Sequence, residues 1–348
     1  LLWYMLTNAQ PWDNLRFDEA GVDEVRRKFF GTLYNTYSFF ALYANVDGWQ
    51  PGTGIARPQG TGSVSEIDRW IVSLCNSLIR DVRAAYEDYD ITLAGRLIQT
   101  FVCDHLSNWY VRLNRKRFWG GGLTPDKIAA YETLYGTLKT VALLSAPIAP
   151  FYSDELWRDL VPDAECIHFE AMPEADESLV DKDLEERMAL AQKATSLVLA
   201  LRRKVNIKVR QPLAKMLIPV MSDKVRKQLE DVKDLILSEV NVKEAEFLSD
   251  TTGIITKKIK PNFRVLGKKY GAQMKEIAAA FSRLDQAAIS AIQASDEYTL
   301  DLASGPVKLI PEDYEISSED MPGWLVASEG QLTIALDIQL SDALLKEG

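Results

Sequence analysis

Residues 106–119 read Leu106-Ser107-Asn108-Trp109-Tyr110-Val111-Arg112-Leu113-Asn114-Arg115-Lys116-Arg117-Phe118-Trp119. At about 100° per residue the run predicts a helix with Leu106, Trp109 and Leu113 facing a core. Asn108, Arg112, Arg115 and Trp119 then fall on one neighbouring stripe. One side packs and the next is offered to solvent. The run closes a longer helical pattern, from about 93 to 118, that also carries Ile98 and Val102.

The same period recurs on either side. Over 66–89, Ile67, Trp70, Ile71, Leu74, Leu78, Val82, Ala85 and Tyr89 repeat at three- and four-residue steps, with Ser65 and Asp68 as a capping pair. A further helix opens with Thr124 as N-cap and Pro125 at its first position and is closed by Pro147. An earlier one, 22–43, carries Phe29, Phe30, Leu33, Tyr37 and Phe40. Short connections between such helices predict an antiparallel bundle. The stretch Pro51-Gly52-Thr53-Gly54 followed by Arg57-Pro58-Gln59-Gly60-Thr61-Gly62 is read as a loop; without a preceding strand or a following G-K-[ST] it is no phosphate-binding motif.

Beyond the acidic, proline-bearing stretch 162–177, read as a linker, the pattern mixes. Helices are expected at 184–204, 224–237 and 273–283, and strands near 216–221, 245–248, 298–303, 324–327 and 332–338. The fold class that follows is mainly α: an antiparallel helix bundle, then a smaller α+β domain. The chain opens in an apolar run, Leu1, Leu2, Trp3, Tyr4, and stops just after what reads as a strand and a turn, so it is read as an excised piece whose open end leaves an apolar patch near residues 1–5.

Composition narrows the chemistry. In 348 residues, 47% apolar and 26% charged, there is enough material for two cored domains, and no stretch approaches the roughly 18 apolar residues of a membrane span. Cys75, Cys103 and Cys166 are scattered and read as core thiols of a reducing compartment, which points to a cytoplasmic protein without structural zinc. His105 reads as a structural histidine and His168 as uninformative; no recognisable catalytic motif includes either.

A net charge of −10 argues against a general nucleic-acid binder but leaves room for a local one, since screening confines a patch to about 10 Å at 0.1 M salt. On the stripe of 106–119, guanidiniums suit phosphates and an indole suits an unstacked base, the means by which proteins hold single-stranded RNA. The same cations would also complement the dipole of a helix end, and a charged run is commonly a solvated face. Two further basic stretches lack acids: Arg202, Arg203, Lys204, Lys208 and Arg210, and then Lys257, Lys258, Lys260, Arg264, Lys268 and Lys269.

The run 106–119 resembles the L-S-N-W-Y-x-R…R-x-R-F-W helix of the isoleucyl-tRNA synthetases, in their helical anticodon-binding domain. Asn8-Ala9-Gln10-Pro11-Trp12-Asp13-Asn14-Leu15-Arg16-Phe17 resembles the segment after that family's K-M-S-K-S loop. Ala146-Pro147-Ile148-Ala149-Pro150-Phe151, with Glu155-Leu156-Trp157, is similar to a signature shared with the valine and leucine enzymes. Val209-Arg210-Gln211-Pro212-Leu213 and Pro261-Asn262-Phe263-Arg264-Val265-Leu266-Gly267-Lys268-Lys269-Tyr270-Gly271 resemble the isoleucine branch of eukaryotes, archaea and some bacteria. Leu113 and Asn114 stand where some relatives carry Arg-Ser.

The resemblance implies a remnant of the segment after the catalytic domain over 1–18, a helical anticodon-binding domain over 19–161, the linker 162–177, and a truncated α+β tRNA-binding domain over 178–348. It implies tRNA(Ile), and the catalytic and editing domains of a parent chain, as partners. ATP and Mg²⁺ serve the parent, which joins isoleucine to its tRNA, and no cofactor or catalytic residue is expected in this piece. The RNA-contacting candidates are Asn108, Arg112, Arg115, Lys116, Arg117, Trp119, Arg210, Lys257, Lys258, Lys268 and Lys269. A valine-specific homologue and a helical protein-interaction scaffold are the rival readings.

Overall fold

Small polar side chains set the helix starts in the first half of the chain. Asp18 accepts from the amides of Ala20 and Gly21, Ser65 from Asp68, Asp90 from Leu93, and Thr124 from Lys127. Each satisfies an N–H that a first helical turn leaves open. The computed structural model describes residues 1–52, 65–249, 256–319 and 323–347; most of the loop read over 51–62 lies outside the described residues.

The first unit, Leu1–Glu185, is helical. It comprises α1 (Leu2–Asn8), α2 (Glu19–Val25), a π-helical turn (Arg26–Phe30), α3 (Gly31–Asp47), α4 (Glu66–Glu87), α5 (Ile91–Thr100), a π-helical segment (Phe101–Val111), α6 (Arg112–Trp119), α7 (Pro125–Ser145) and α8 (Pro150–Leu160). α4 packs on α5 and α7, and α7 on α8. Trp70, Ile71 and Val82 of α4, Ile98 of α5, and Leu134, Leu138 and Val141 of α7 are sealed from solvent. Gly48, at φ 66°, ends α3 in the left-handed region. The turn lets Trp49 stack on Tyr131, with ring centroids 5.4 Å apart.

The apolar opening run finds its partners within the unit. Trp3 and Tyr4 of α1 are buried, and Trp3 stacks on Phe29 at 4.2 Å, while Leu1, Leu2 and Met5 stay exposed. The acidic stretch 162–177 lies against the bundle: Ile167 N–H donates to Asp154, Asp176 N–H to Asn76, and Arg83 to the carbonyls of Met172 and Pro173. The break between units falls at Glu185/Glu186, within α9 (Lys182–Lys204).

The second unit, Glu186–Gly348, is α+β. After α9 come β1 (Leu213–Pro219), α10 (Asp223–Asp231), α11 (Lys233–Val240), β2 (Val242–Leu248), β3 (Thr256–Pro261), α12 (Phe263–Tyr270), α13 (Met274–Phe281) and α14 (Gln286–Ala294). β4 (Tyr298–Leu300), β5 (Val307–Leu309), β6 (Tyr314–Glu319), β7 (Trp324–Glu329), β8 (Leu332–Asp337) and α15 (Asp342–Glu347) complete it. The main sheet runs β2-β1-β8-β7, with β1 and β2 parallel and the other pairs antiparallel. β3 pairs with β6 and β4 with β5. A second core gathers Ile259, Leu266, Ile277, Phe281, Ile292 and Leu309.

Some expectations are corrected. The helix read over 224–237 is two, divided at Val232, and the chain closes on α15 rather than on a strand and turn. The basic stretch 257–269 holds β3 and α12, whose alternation is hidden by lysines on the outer face.

Candidate nucleic-acid interface

α6 is short, but it continues the π-helical segment before it. A π turn bonds i to i+5 and takes in more residues than an α turn, so a stripe drawn at about 100° per residue drifts across Phe101–Val111. The buried face is Leu106, Trp109, Tyr110, Val111, Asn114 and Phe118; Leu113, expected inside, is half-buried. Downstream of the π segment the α period returns. Arg115 and Trp119, one turn apart on α6, are both exposed, Trp119 at 57%, and Lys116 is exposed beside them. Neither Arg115 nor Lys116 has an ion-pair partner among the described residues.

Arg112 lies back along its own helix. Its Nε donates to the Asn108 carbonyl at 2.8 Å, and its guanidinium sits 5.5 Å above the Trp109 ring. The Asn108 side chain itself is exposed.

Arg117, expected on the contact edge, is turned inward. Nη1 and Nη2 each lie 2.9 Å from an oxygen of Asp68, Nη1 also donates to Asn114 at 2.8 Å, and Nε and Nη2 hold Asp126 at 2.9 and 2.7 Å. Tyr110 Oη donates to Asp68 at 2.7 Å, and Asp68 is fully buried. Burial alone would pull the Arg117 pKa down, but the Asp68 and Asp126 carboxylates hold it above its ordinary value. Burial and the Asp68 charge drive the Tyr110 phenol well above its own. The group is a structural clamp, with nothing left to give a phosphate. Asp68 was read only as a capping residue; its backbone N–H does donate to Ser65, while its carboxylate serves Arg117.

The lysine after Asp126 is internal too. Lys127, 3% exposed, pairs with Asp47 and donates to the Gly120 carbonyl at 2.6 Å, fastening the end of α6.

The remaining candidates lie in the second unit. Arg210 is exposed, as are Lys258 and Lys268. Lys269 pairs at 2.7 Å with the buried carboxylate of Asp313 and so serves the fold. Lys257 pairs with Ser318 along β3 and β6; its side chain lies outside the described ones. Arg202, read as part of a basic surface run, is instead 1% exposed, and burial pulls its pKa down to about 10, still protonated at neutral pH. The signal was present in the sequence: Met188, Ala191, Thr195, Val198 and Arg202 follow one helical period, and all five are buried.

Of the lone polar groups, His105 is half-buried against Trp70 and His168 is exposed. Cys75 is buried, its thiol pushed up to about 12; Cys103 and Cys166 are half-buried, and burial pushes Cys103 up to about 11. Among the described residues no group of three His, Cys, Asp or Glu could hold a metal ion, and no helix is long and apolar enough to cross a membrane.

Residues 68–218 match the family model of the anticodon-binding domain of tRNA ligase, a span that includes α6. Over its whole length the chain is 54% identical to an isoleucine–tRNA ligase of Bacteroides fragilis, of which it covers 31%. It is likewise 54% identical to that of Porphyromonas gingivalis, covering 30%. Over 99% of its length it is 37% identical to that of Clostridium tetani, covering 33%. The chain thus spans about a third of the length of these curated relatives. A solved chain from the ternary LeuRS-tRNA-LeuAMS complex of Agrobacterium radiobacter K84 matches 51% of this chain and 20% of its own, with 21% identity and a TM-score of 0.38, a level at which the likeness says nothing about this fold. Over its full length the chain is similar to about a third of each of these isoleucine–tRNA ligases, and within it residues 68–218 match the anticodon-binding domain of tRNA ligase.

Proposed function

We propose that this chain is the tRNA-gripping part of a cytoplasmic isoleucine–tRNA ligase and receives the anticodon stem and loop of tRNA(Ile). The observation that carries the reading is the end of α6, where Arg115, Lys116 and Trp119 are exposed together within the matched anticodon-binding span. Arg112 borders that edge. The two cations meet phosphates, and the Trp119 ring offers its face to a splayed base, a contact worth about 1–3 kcal/mol. Arg117 leaves the set of contacts, because its guanidinium is held by Asp68 and Asp126, and the Lys269 charge is matched by the buried Asp313 carboxylate.

The parent reaction, joining isoleucine to tRNA with ATP and Mg²⁺, belongs in this reading to the catalytic domain of the longer protein; an editing domain is the other partner within that chain. Fluorescence titration of the chain with isoleucine and valine tRNAs at two salt concentrations tests the proposal. Preferred, salt-sensitive binding of the isoleucine tRNA, weakened in Arg115→Ala plus Trp119→Ala, is the expected result. Equal affinity for both tRNAs would favour the valine homologue, and a chain that ignores tRNA would remove the reading.

A further inference from the structure

Between α9 and β1 the chain passes through residues 205–212, and every carbonyl from Lys208 to Gln211 is drawn inward. The buried Arg202 guanidinium donates through Nη1 to the carbonyls of Lys208 (3.2 Å) and Gln211 (2.9 Å), and through Nη2 to that of Asn241 (2.8 Å). The Asn241 side-chain amide completes the set, donating to the carbonyls of Val209 (2.9 Å) and Arg210 (3.1 Å).

A trans peptide holds its N–H opposite its C=O. The amides of Val209 and Arg210, which follow the inward carbonyls of Lys208 and Val209, therefore face away from the clamp. Neither donates to another group among the described residues. The side chains of Arg203, Lys208 and Arg210 are all exposed, and none has an ion-pair partner among the described residues. No Asp or Glu occurs from residue 187 to residue 222. Outward amides in succession, flanked by cations, form an anion-binding concavity.

We propose that this loop is a phosphate cradle for the sugar–phosphate backbone of RNA. The Val209 and Arg210 amides and the Lys208 and Arg210 side chains are its ligands, and Arg202 and Asn241 are its positioning residues. The proposal rests on the tRNA-binding reading above and adds a second point of contact, in the other unit. Arg202 does not touch the ligand; by gathering the negative ends of the loop's peptide dipoles inside, it turns their positive ends out.

The test is titration of the chain with isoleucine tRNA across 50–200 mM salt. It is followed by the slope of log affinity against log salt and by the amide resonances of Val209 and Arg210 in isotopically labelled chain. Lys208→Ala plus Arg210→Ala, at two exposed positions, should flatten the slope by about 1.4–1.8. The two amides should move on tRNA addition in the wild type. In Asn241→Gly, where glycine tolerates the φ of 51°, they should move less while both cations remain. An unchanged slope in the double variant, while Arg115→Ala plus Trp119→Ala still weakens binding, would overturn the cradle and leave the tRNA reading standing. A flattened slope with unmoved amides would reduce the loop to two lysine-like charges and overturn the cradle as well. Absence of salt-sensitive tRNA binding by the wild type would remove both readings.

Discussion

Arg117 and Asp68 meet as parallel forks, Nη1 to Oδ1 and Nη2 to Oδ2, both at 2.9 Å, and so bind α6 to the first turn of α4. Asp68 is fully buried, and Tyr110 supplies its third donor. Removing one side of such a pair strands the other in low dielectric. Arg117→Met is therefore expected to cost about 3–5 kcal/mol of stability in denaturant unfolding, and Asp68→Ala a similar amount. The double variant should lose far less than the sum of the two. Strict additivity in that cycle would contradict the clamp.

Trp119 should behave in the opposite way. Being exposed and outside the aromatic clusters, Trp119→Ala is expected to shift unfolding by no more than about 0.5 kcal/mol. Its effect should appear as a loss of tRNA affinity of about 1–3 kcal/mol. A destabilised variant with unchanged affinity would make the indole a packing residue.

Acid should loosen the first unit partly through Glu185. Its burial raises the carboxyl pKa, but hydrogen bonds from Lys182, Ser73 and Ser77 outweigh that and hold it below the ordinary 4.5. A carboxylate with a depressed folded pKa stabilises the fold at pH above its unfolded value, and that contribution fades as pH falls through the folded one. Glu185→Gln is thus expected to lower stability at pH 7 and to flatten the decline below about pH 4.5. Urea midpoints across pH 3–7 would read this, and parallel curves for variant and wild type would count against it.

Close packing of α1 on α5 passes through Gly95. A Cβ there would stand 2.5 Å from Thr7 Cγ2 and 3.3 Å from Ile148 Cδ1. Thr7 has little room to yield, because its hydroxyl donates to the Trp3 carbonyl at 2.8 Å. Gly95→Ala should cost about 1–3 kcal/mol despite the better helix propensity of alanine. A stabilised variant in thermal unfolding would show that α1 can move aside.

Helices with a clean apolar period were legible before any coordinates. The pattern around Trp70, Leu78 and Val82 became α4, and Thr124-Pro125 opened α7. Less legible was β3, whose backbone pairing with β6 depends on partners more than fifty residues away and is masked by a lysine run. The π-helical segment was also missed, since its extra residue per turn leaves no mark in composition and shows only as a shifted buried face.

Charge type and helical period are properties of the chain itself. They were enough to identify the bundle, the α+β half, and a basic, tryptophan-bearing helix end. Which cations remain available was decided by the fold. Arg117 is met by Asp68 from 49 residues away, Arg202 by the Asn241 carbonyl from 39, and Lys269 by Asp313 from 44. Arg115, Lys116, Lys208 and Arg210 meet no such partner among the described residues. A guanidinium or ammonium keeps its charge wherever it lies, but whether that charge is spent depends on which carboxylate or carbonyl the folded chain brings beside it, and that is a long-range fact no local pattern encodes.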